Sequence, residues 1–323
     1  MSTRVLVLRA LGLGDLLTAV PALRGLRRAL PGAEIVLAAP ARFADVVTAT
    51  GVVDRVLPTV APDRAVPARL DWDGPPPDVA VDLHGNGLPS RAVLRALDPG
   101  GLLGWARPGF DGPRWRDDEH ERVRWCRMLE WYGIACDPSD LRIELPSGPG
   151  PAGAGPVVIH PGADAGARCW PPERFAAVAG ALARAHVPVV ITAGRGERPL
   201  AEAVAARAGL SGSVVGGAGD LPFSELLSLI SAARAVVVGD TGIAHLASAL
   251  GTPSVVLFGP VSPALWGPPA SYAHRILWRP DDPSELRPGN AHGATADVRL
   301  LRVGIDDVLE ELGNLGVPAG AVA

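Results

Sequence analysis

Apolar positions along this chain follow two alternating rhythms. Short continuous runs at Val5–Arg9, Glu34–Ala39, Arg55–Leu57 and Asp78–Leu83 have the length of buried strands. Between the first two, apolar residues at 16, 17, 20, 23, 26 and 30 recur every three to four positions, which predicts a helix over Leu16–Leu30. His120–Tyr132 also reads as a helix. Beyond residue 156 the alternation resumes. Strands are predicted at Val157–His160, Val187–Ala193, Ser213–Val215, Ala235–Gly239 and Ser254–Phe258. The intervening helices are Pro172–His186, Glu197–Ala208, Pro222–Ala232 and Thr241–Leu250. Residues 280–298, rich in Pro, Gly and Asp, are expected to be irregular, and an amphipathic helix near Ile305–Leu315 closes the chain. Strand–helix alternation of this kind predicts an α/β fold with parallel sheets.

The alternation is interrupted once. Residues 146–156, Pro-Ser-Gly-Pro-Gly-Pro-Ala-Gly-Ala-Gly-Pro, have almost nothing to bury and read as a linker. A chain of 323 residues exceeds the usual size of one core, and its 48% hydrophobic content supplies two. The expected division is 1–150 as a first doubly wound domain, 151–300 as a second, and 301–323 as a terminal helix packing back toward the first. Two such domains should face a cleft along the carboxyl ends of their strands, where α/β proteins hold ligands.

Charge and cysteine usage narrow the function. The formal net charge is −4, which argues against a general nucleic-acid binder. All 30 basic side chains are arginine, so any basic contact to phosphate is a guanidinium one. Cys126, Cys136 and Cys169 are odd in number and lack CxxC spacing, so neither a disulfide framework nor structural zinc is expected. No apolar run is long enough to span a bilayer, and Val5–Leu8, followed at once by Arg9, reads as a strand and not a signal peptide. The expectation is a cytoplasmic protein, with peripheral contact at the inner membrane face left open.

Candidate chemistry lies at strand ends. Leu11-Gly12-Leu13-Gly14-Asp15 follows the first strand; its glycines permit close backbone approach, and Asp15 either caps a helix or serves as an acid–base group. Leu17 stands where a dinucleotide fingerprint needs its third glycine, so an NAD site is not favoured. In the second half, His160-Pro161-Gly162 opens a loop that carries Arg168, with Pro171 and Pro172 starting the next helix; such a loop can offer N–H groups and a guanidinium to a diphosphate. Glu197, after Gly194-Arg195-Gly196, can accept from ribose hydroxyls or simply begin a helix. Val236–Pro260 contains the strongest signal: a buried strand, the turn Asp240-Thr241-Gly242, then an apolar helix bearing His245 one turn on. Asp82-Leu83-His84-Gly85-Asn86-Gly87 ends a first-half strand, and His84 and Asn86 are candidate acceptor contacts. Trp105 and Trp115 could form a sugar-stacking or lipid-proximal surface, Trp125 and Trp131 read as packing residues, and the acidic residues from Asp117 to Glu121 read as a solvated mixed-charge face.

Taken in order, these segments resemble the ADP-heptose-dependent heptosyltransferases of glycosyltransferase family 9, which have the two-domain, Rossmann-like GT-B architecture. The resemblance is carried by Leu11–Leu17 with Pro21-Ala22-Leu23, His160–Gly162, Trp170–Phe175, Gly239–His245 and Phe258–Pro260. It implies that Asp15 is the base for the acceptor hydroxyl. It further implies that Gly12, Gly14, Gly162, Arg168, Glu197, Asp240, Thr241, Gly242 and His245 bind the donor, with Glu197 touching the ribose. Arg168 stands where the family has a phosphate-binding lysine, in a slightly longer loop. The implied reaction is inverting transfer from a nucleotide diphosphate sugar, ADP-heptose first among candidates, to a glycan, lipid-linked or natural-product hydroxyl, with no metal and no cofactor. A nucleotide-sugar epimerase on the same scaffold and a non-catalytic sugar-nucleotide-binding protein stand as alternatives.

Overall fold

The computed structural model describes residues 2–60, 65–144, 155–217 and 221–320. Apart from Gly155 and Pro156, the expected linker lies outside them. Two compact units result, Met1–Glu144 and Leu145–Ala323. Among the described residues, no helix is long and apolar enough to cross a membrane.

The first unit runs β1 (Arg4–Leu8), α1 (Leu13–Thr18), α2 (Val20–Ala29), β2 (Glu34–Ala39), α3 (Ala44–Ala49), β3 (Arg55–Pro58), β4 (Val79–Asp82), α4 (Leu88–Arg95), β5 (Gly101–Leu103) and α5 (Glu121–Trp131). Its sheet is wholly parallel in the order β3-β2-β1-β4-β5. The single helix expected over 16–30 is two. Pro21, in the first turn of α2, has no N–H to give to the preceding turn, so α1 stops at Thr18 and a new helix begins. Helix α1 also starts before the apolar stripe, which places Asp15 in its first turn.

The second unit runs β6 (Val157–His160), α6 (Pro172–Arg184), β7 (Val189–Ala193), α7 (Arg198–Arg207), β8 (Val214–Gly216), α8 (Phe223–Ala232), β9 (Ala235–Gly239), α9 (Gly242–Leu250), β10 (Ser254–Leu257), α10 (Pro263–Trp266), β11 (His274–Leu277), α11 (Val298–Leu301) and α12 (Ile305–Asn314). Its parallel sheet has the order β11-β10-β9-β6-β7-β8. Counted from β6, this is the doubly wound order 3-2-1-4-5-6 read from its other edge. Central strands β6 and β9 are buried along their whole length, as a sheet covered by helices on both faces requires.

The core of the second unit gathers Ile159, Val237, Val255 and Leu257 from the sheet with Trp170, Phe175 and Leu182. The terminal helix, expected to pack toward the first domain, lies within this unit: Val308 and Leu312 of α12 are fully buried in the same core. Arg279 on the strand side reaches Asp307 Oδ1 at 3.0 Å and reinforces the docking. Leu312→Ala should therefore lower the unfolding free energy by about 2–5 kcal/mol in urea titration. A loss within experimental error would remove α12 from the core.

Candidate active site

In a doubly wound sheet the crevice for ligands opens where neighbouring strands send their chains to opposite sides. In the second unit that point lies between β6 and β9, paired as Ile159 to Val237 and His160 to Val238. The loop leaving β6 closes with a 3-10 turn at Gly166–Arg168, and the loop leaving β9 is Asp240-Thr241. One side chain joins them. Arg168 Nη1 donates to the Asp240 carbonyl at 2.8 Å, while Nη2 lies 3.7 Å from Asp164 Oδ2.

Glycines permit this junction. A Cβ on Gly239 would come within 2.8 Å of the Arg168 carbonyl, and one on Gly166 would overlap the Ala294 carbonyl. Ala167 N–H donates to Gly293 O at 2.9 Å, so the 290–297 segment braces the arginine loop from behind. A Cβ on Gly259 would press on Leu300 at 2.8 Å, which ties the end of β10 to the same brace.

Thr241 is the N-cap of α9 in an extended conformation, φ −141° and ψ 174°. Its Oγ1 is buried and has no hydrogen-bond partner among the described residues, so it does not cap its own helix. The first-turn N–H groups of a helix have no acceptor within it, and the dipole makes that end positive. A guanidinium, an uncommitted hydroxyl and a helix N-terminus are thus carried by two loops joined by one hydrogen bond, and groups of these kinds bind oxyanions. His245, on the first turn of α9, packs edge-on against Trp266 with centroids 5.9 Å apart.

Beside this site Glu197 precedes α7. Its Oε2 accepts from Gly194 N–H at 2.7 Å and lies 3.7 Å from His160 Nε2. The carboxylate lies so close over Gly162 that a Cβ there would overlap it. His160 Nδ1 is 3.2 Å from the Thr192 carbonyl and 3.1 Å from the Thr192 hydroxyl, which fix the ring against β7. Burial holds the imidazole below its ordinary pKa while Glu197 pulls the other way; burial dominates.

The first unit repeats the arrangement between β1 and β4, where Leu8 lies opposite Asp82. Gly12 caps α1 and Gly14 lies within it. Asp15 is buried, its Oδ2 accepting from Gly12 N–H at 3.1 Å and its carbonyl from Thr18 Oγ1 at 2.9 Å. The capping role considered for Asp15 is therefore real, whatever else the carboxylate does. Across the switch point, Asp82 accepts from Ser90 Oγ at 2.7 Å and from His84 N–H at 3.1 Å. It thereby shapes the loop bearing His84, which is buried, and Asn86, whose carbonyl accepts from Arg107 Nε at 2.6 Å. Burial pushes the Asp82 carboxyl up to about 6, against the hydrogen bonds from Ser90 and the loop amides.

Sequence reasoning missed Arg9, Asp82 as the organiser of its loop, and Trp266. Arg9, noted in the sequence only as the charge that follows Val5–Leu8, is 1% exposed. Trp105 is also 1% exposed, in a cluster with Trp115 and Trp125 at 5.1 and 5.9 Å, and so offers no stacking surface. Trp131, expected to pack, is 61% exposed. Glu121, assigned to a solvated face, is buried between arginines.

The family model for glycosyltransferase family 9 (heptosyltransferase) matches residues 134–286, a span that holds Arg168, Glu197 and the 240–245 turn. No curated protein sequence matches the chain significantly. Among solved structures the chain is similar to E. coli ADP-heptose LPS heptosyltransferase II, at 21% identity and TM-score 0.75, over 97% of this chain and 98% of that one. It is similar to a family 9 glycosyltransferase from Veillonella parvula at 18% identity and TM-score 0.76, over 98% of both chains. It is similar also to E. coli heptosyltransferase WaaC with ADP, at 20% identity and TM-score 0.69, over 97% and 100%. The shared fold is GT-B, with two parallel-sheet α/β domains.

The raised Asp82 carboxyl has a consequence for stability. Its folded pKa, about 6, lies above the ordinary 3.8, so folding takes up a proton between these values. The contribution is fully present below about pH 4 and is lost as pH rises through 6. Asp82→Asn keeps an acceptor for His84 N–H without the charge. Its unfolding free energy relative to the parent should rise by about 3 kcal/mol between pH 4 and pH 7. A difference constant with pH would refute this.

Proposed function

We propose that the chain is a glycosyltransferase of family 9, whose model matches residues 134–286, and that it moves a heptose or related sugar from a nucleotide diphosphate donor to a hydroxyl acceptor, with inversion. The observation that carries this reading is the Arg168–Asp240 bridge beside the Thr241 N-cap, an oxyanion site at the switch point of the second sheet. ADP-heptose is the first candidate donor. The matched span is that of a heptosyltransferase family, and one similar structure is a heptosyltransferase with ADP.

In the proposed mechanism the donor diphosphate lies against Arg168, the first turn of α9 with Gly242, and Thr241 Oγ1. His245 and Asp240 border the sugar, and Glu197 accepts from ribose hydroxyls above Gly162. Asp15 takes the proton of the acceptor hydroxyl while that oxygen bonds to the anomeric carbon from the face opposite the diphosphate. The bond from the anomeric carbon to phosphate oxygen breaks, and its electron pair leaves with the diphosphate. Arg168 and the helix N-terminus stabilise the charge that develops there, the part a metal ion plays elsewhere, so the proposed reaction needs no metal and no cofactor. Gly12 and Gly14 allow the donor to approach the backbone, and the loop with His84 and Asn86 meets the acceptor. The acceptor is a glycan, a lipid-linked saccharide or a small molecule.

A thermal-shift screen against ADP-, GDP-, UDP- and dTDP-sugars should single out the ADP series. Arg168→Ala should weaken ADP binding by about 1–3 kcal/mol, roughly five- to 150-fold, in calorimetry. Asp15→Asn should bind ADP as the parent does and lose transfer. Parental transfer by Asp15→Asn, or parental ADP affinity in Arg168→Ala, overturns the corresponding role. Transfer should also persist in excess EDTA, and its loss would replace the metal-free scheme.

A further inference from the structure

A buried arginine must find an acceptor for each of its donors, and Arg9 distributes them unusually. Its Nε donates to the Asp15 carbonyl at 2.9 Å. Nη1 donates to the carbonyl of Leu83, the residue before His84. Nη2 is shared among Thr18 Oγ1 at 3.3 Å, Glu121 Oε1 at 3.1 Å and Asp15 Oδ1 at 3.8 Å. The guanidinium plane lies over the Trp125 ring, 4.7 Å from its centroid. Trp125 Nε1 in turn donates to Glu121 Oε1 at 2.9 Å, and Arg124 pairs with the other Glu121 oxygen. One cation thus binds both loops of the β1–β4 switch point to α5.

These contacts converge on Asp15 from two sides. The backbone of its turn hangs on Arg9 Nε, and its carboxylate is bracketed by Gly12 N–H on Oδ2 and Arg9 Nη2 beyond Oδ1. With Oδ2 held by Gly12 N–H and Oδ1 facing the guanidinium charge at 3.8 Å, one rotation of the carboxylate about its side chain is favoured. A lysine could not substitute, because one ammonium cannot reach acceptors on Asp15, Leu83 and Glu121 at once. Glu121 in turn fixes the fork, and Arg124 keeps the buried charges balanced at two of each sign.

We propose that Arg9 is a positioning residue for Asp15, and that Glu121 acts through it, holding the carboxylate in the orientation from which it accepts the acceptor's proton. The assignment rests on Asp15 being the base proposed above. A purely structural Arg9 would support the fold and leave the rate at Asp15 otherwise unaffected, and the two roles separate in a double-mutant cycle.

The cycle uses Arg9→Met, Asp15→Asn and the double variant, with ADP release from ADP-heptose to water followed at single turnover, and ADP affinity measured alongside. Arg9→Met should slow release about tenfold to a hundredfold with ADP affinity unchanged. In the Asp15→Asn background the same change should cost less than about twofold, because the group it orients is gone. Equal losses in both backgrounds, or no loss in either, overturn the role of Arg9 while leaving Asp15 as the base. Parental release by Asp15→Asn alone overturns the base itself. Should Arg9→Met fail to fold by circular dichroism, Glu121→Gln, nearly identical in shape, carries the cycle under the same criteria with a smaller loss.

Discussion

The bond from Arg168 to the Asp240 carbonyl is the constraint on which the second unit's site depends. It joins two loops that leave adjacent parallel strands in opposite directions, and it does so with a charged donor whose other terminal nitrogen lies beside Asp164. Without it the loop from β6 would lose its direct tie to the loop from β9 and keep the brace at 290–297. With it, the guanidinium, the Thr241 hydroxyl and the start of α9 are held by the sheet itself. Recognition of the proposed diphosphate would then require little reorganisation, which is how a preorganised site stabilises charge at low cost.

The first unit meets the same topological problem with another arginine. Arg9 and Arg168 each link the loops of a β-strand pair at a switch point, one through Leu83 and Asp15, the other through Asp240. A chain whose cations are all guanidinium can build such junctions repeatedly, since each fork reaches several acceptors in one plane. The surroundings differ in purpose. Arg9 is sealed beneath Trp125 and balanced by Glu121, whereas Arg168 keeps 15% of its side chain accessible.

Much of this was legible in the sequence because buried parallel strands are continuous apolar runs. Glu34–Ala39, Val157–His160 and Ala235–Gly239 are found at the expected residues. Edge strands β5 and β11 were not read, since half-buried segments such as Gly101–Leu103 and His274–Leu277 carry little apolar signal. Loop motifs placed Asp15, Arg168 and Thr241 at strand ends correctly, because glycine and proline punctuate those turns. What the sequence concealed were contacts between distant residues. Nothing local marks Arg9 as buried, for its partner Glu121 lies 112 positions away. Likewise the acidic stretch that contains Glu121 looks solvated until its arginine and tryptophan neighbours are known.

Gly166, Gly239 and Gly259 form a seam where backbone meets backbone or a packed side chain without room for a methyl group. A side chain at any of the three would force backbone or packed side chains apart, so the platform beneath the proposed oxyanion site tolerates little change. Redesign of selectivity would then start from residues off this seam, with the floor left as it is.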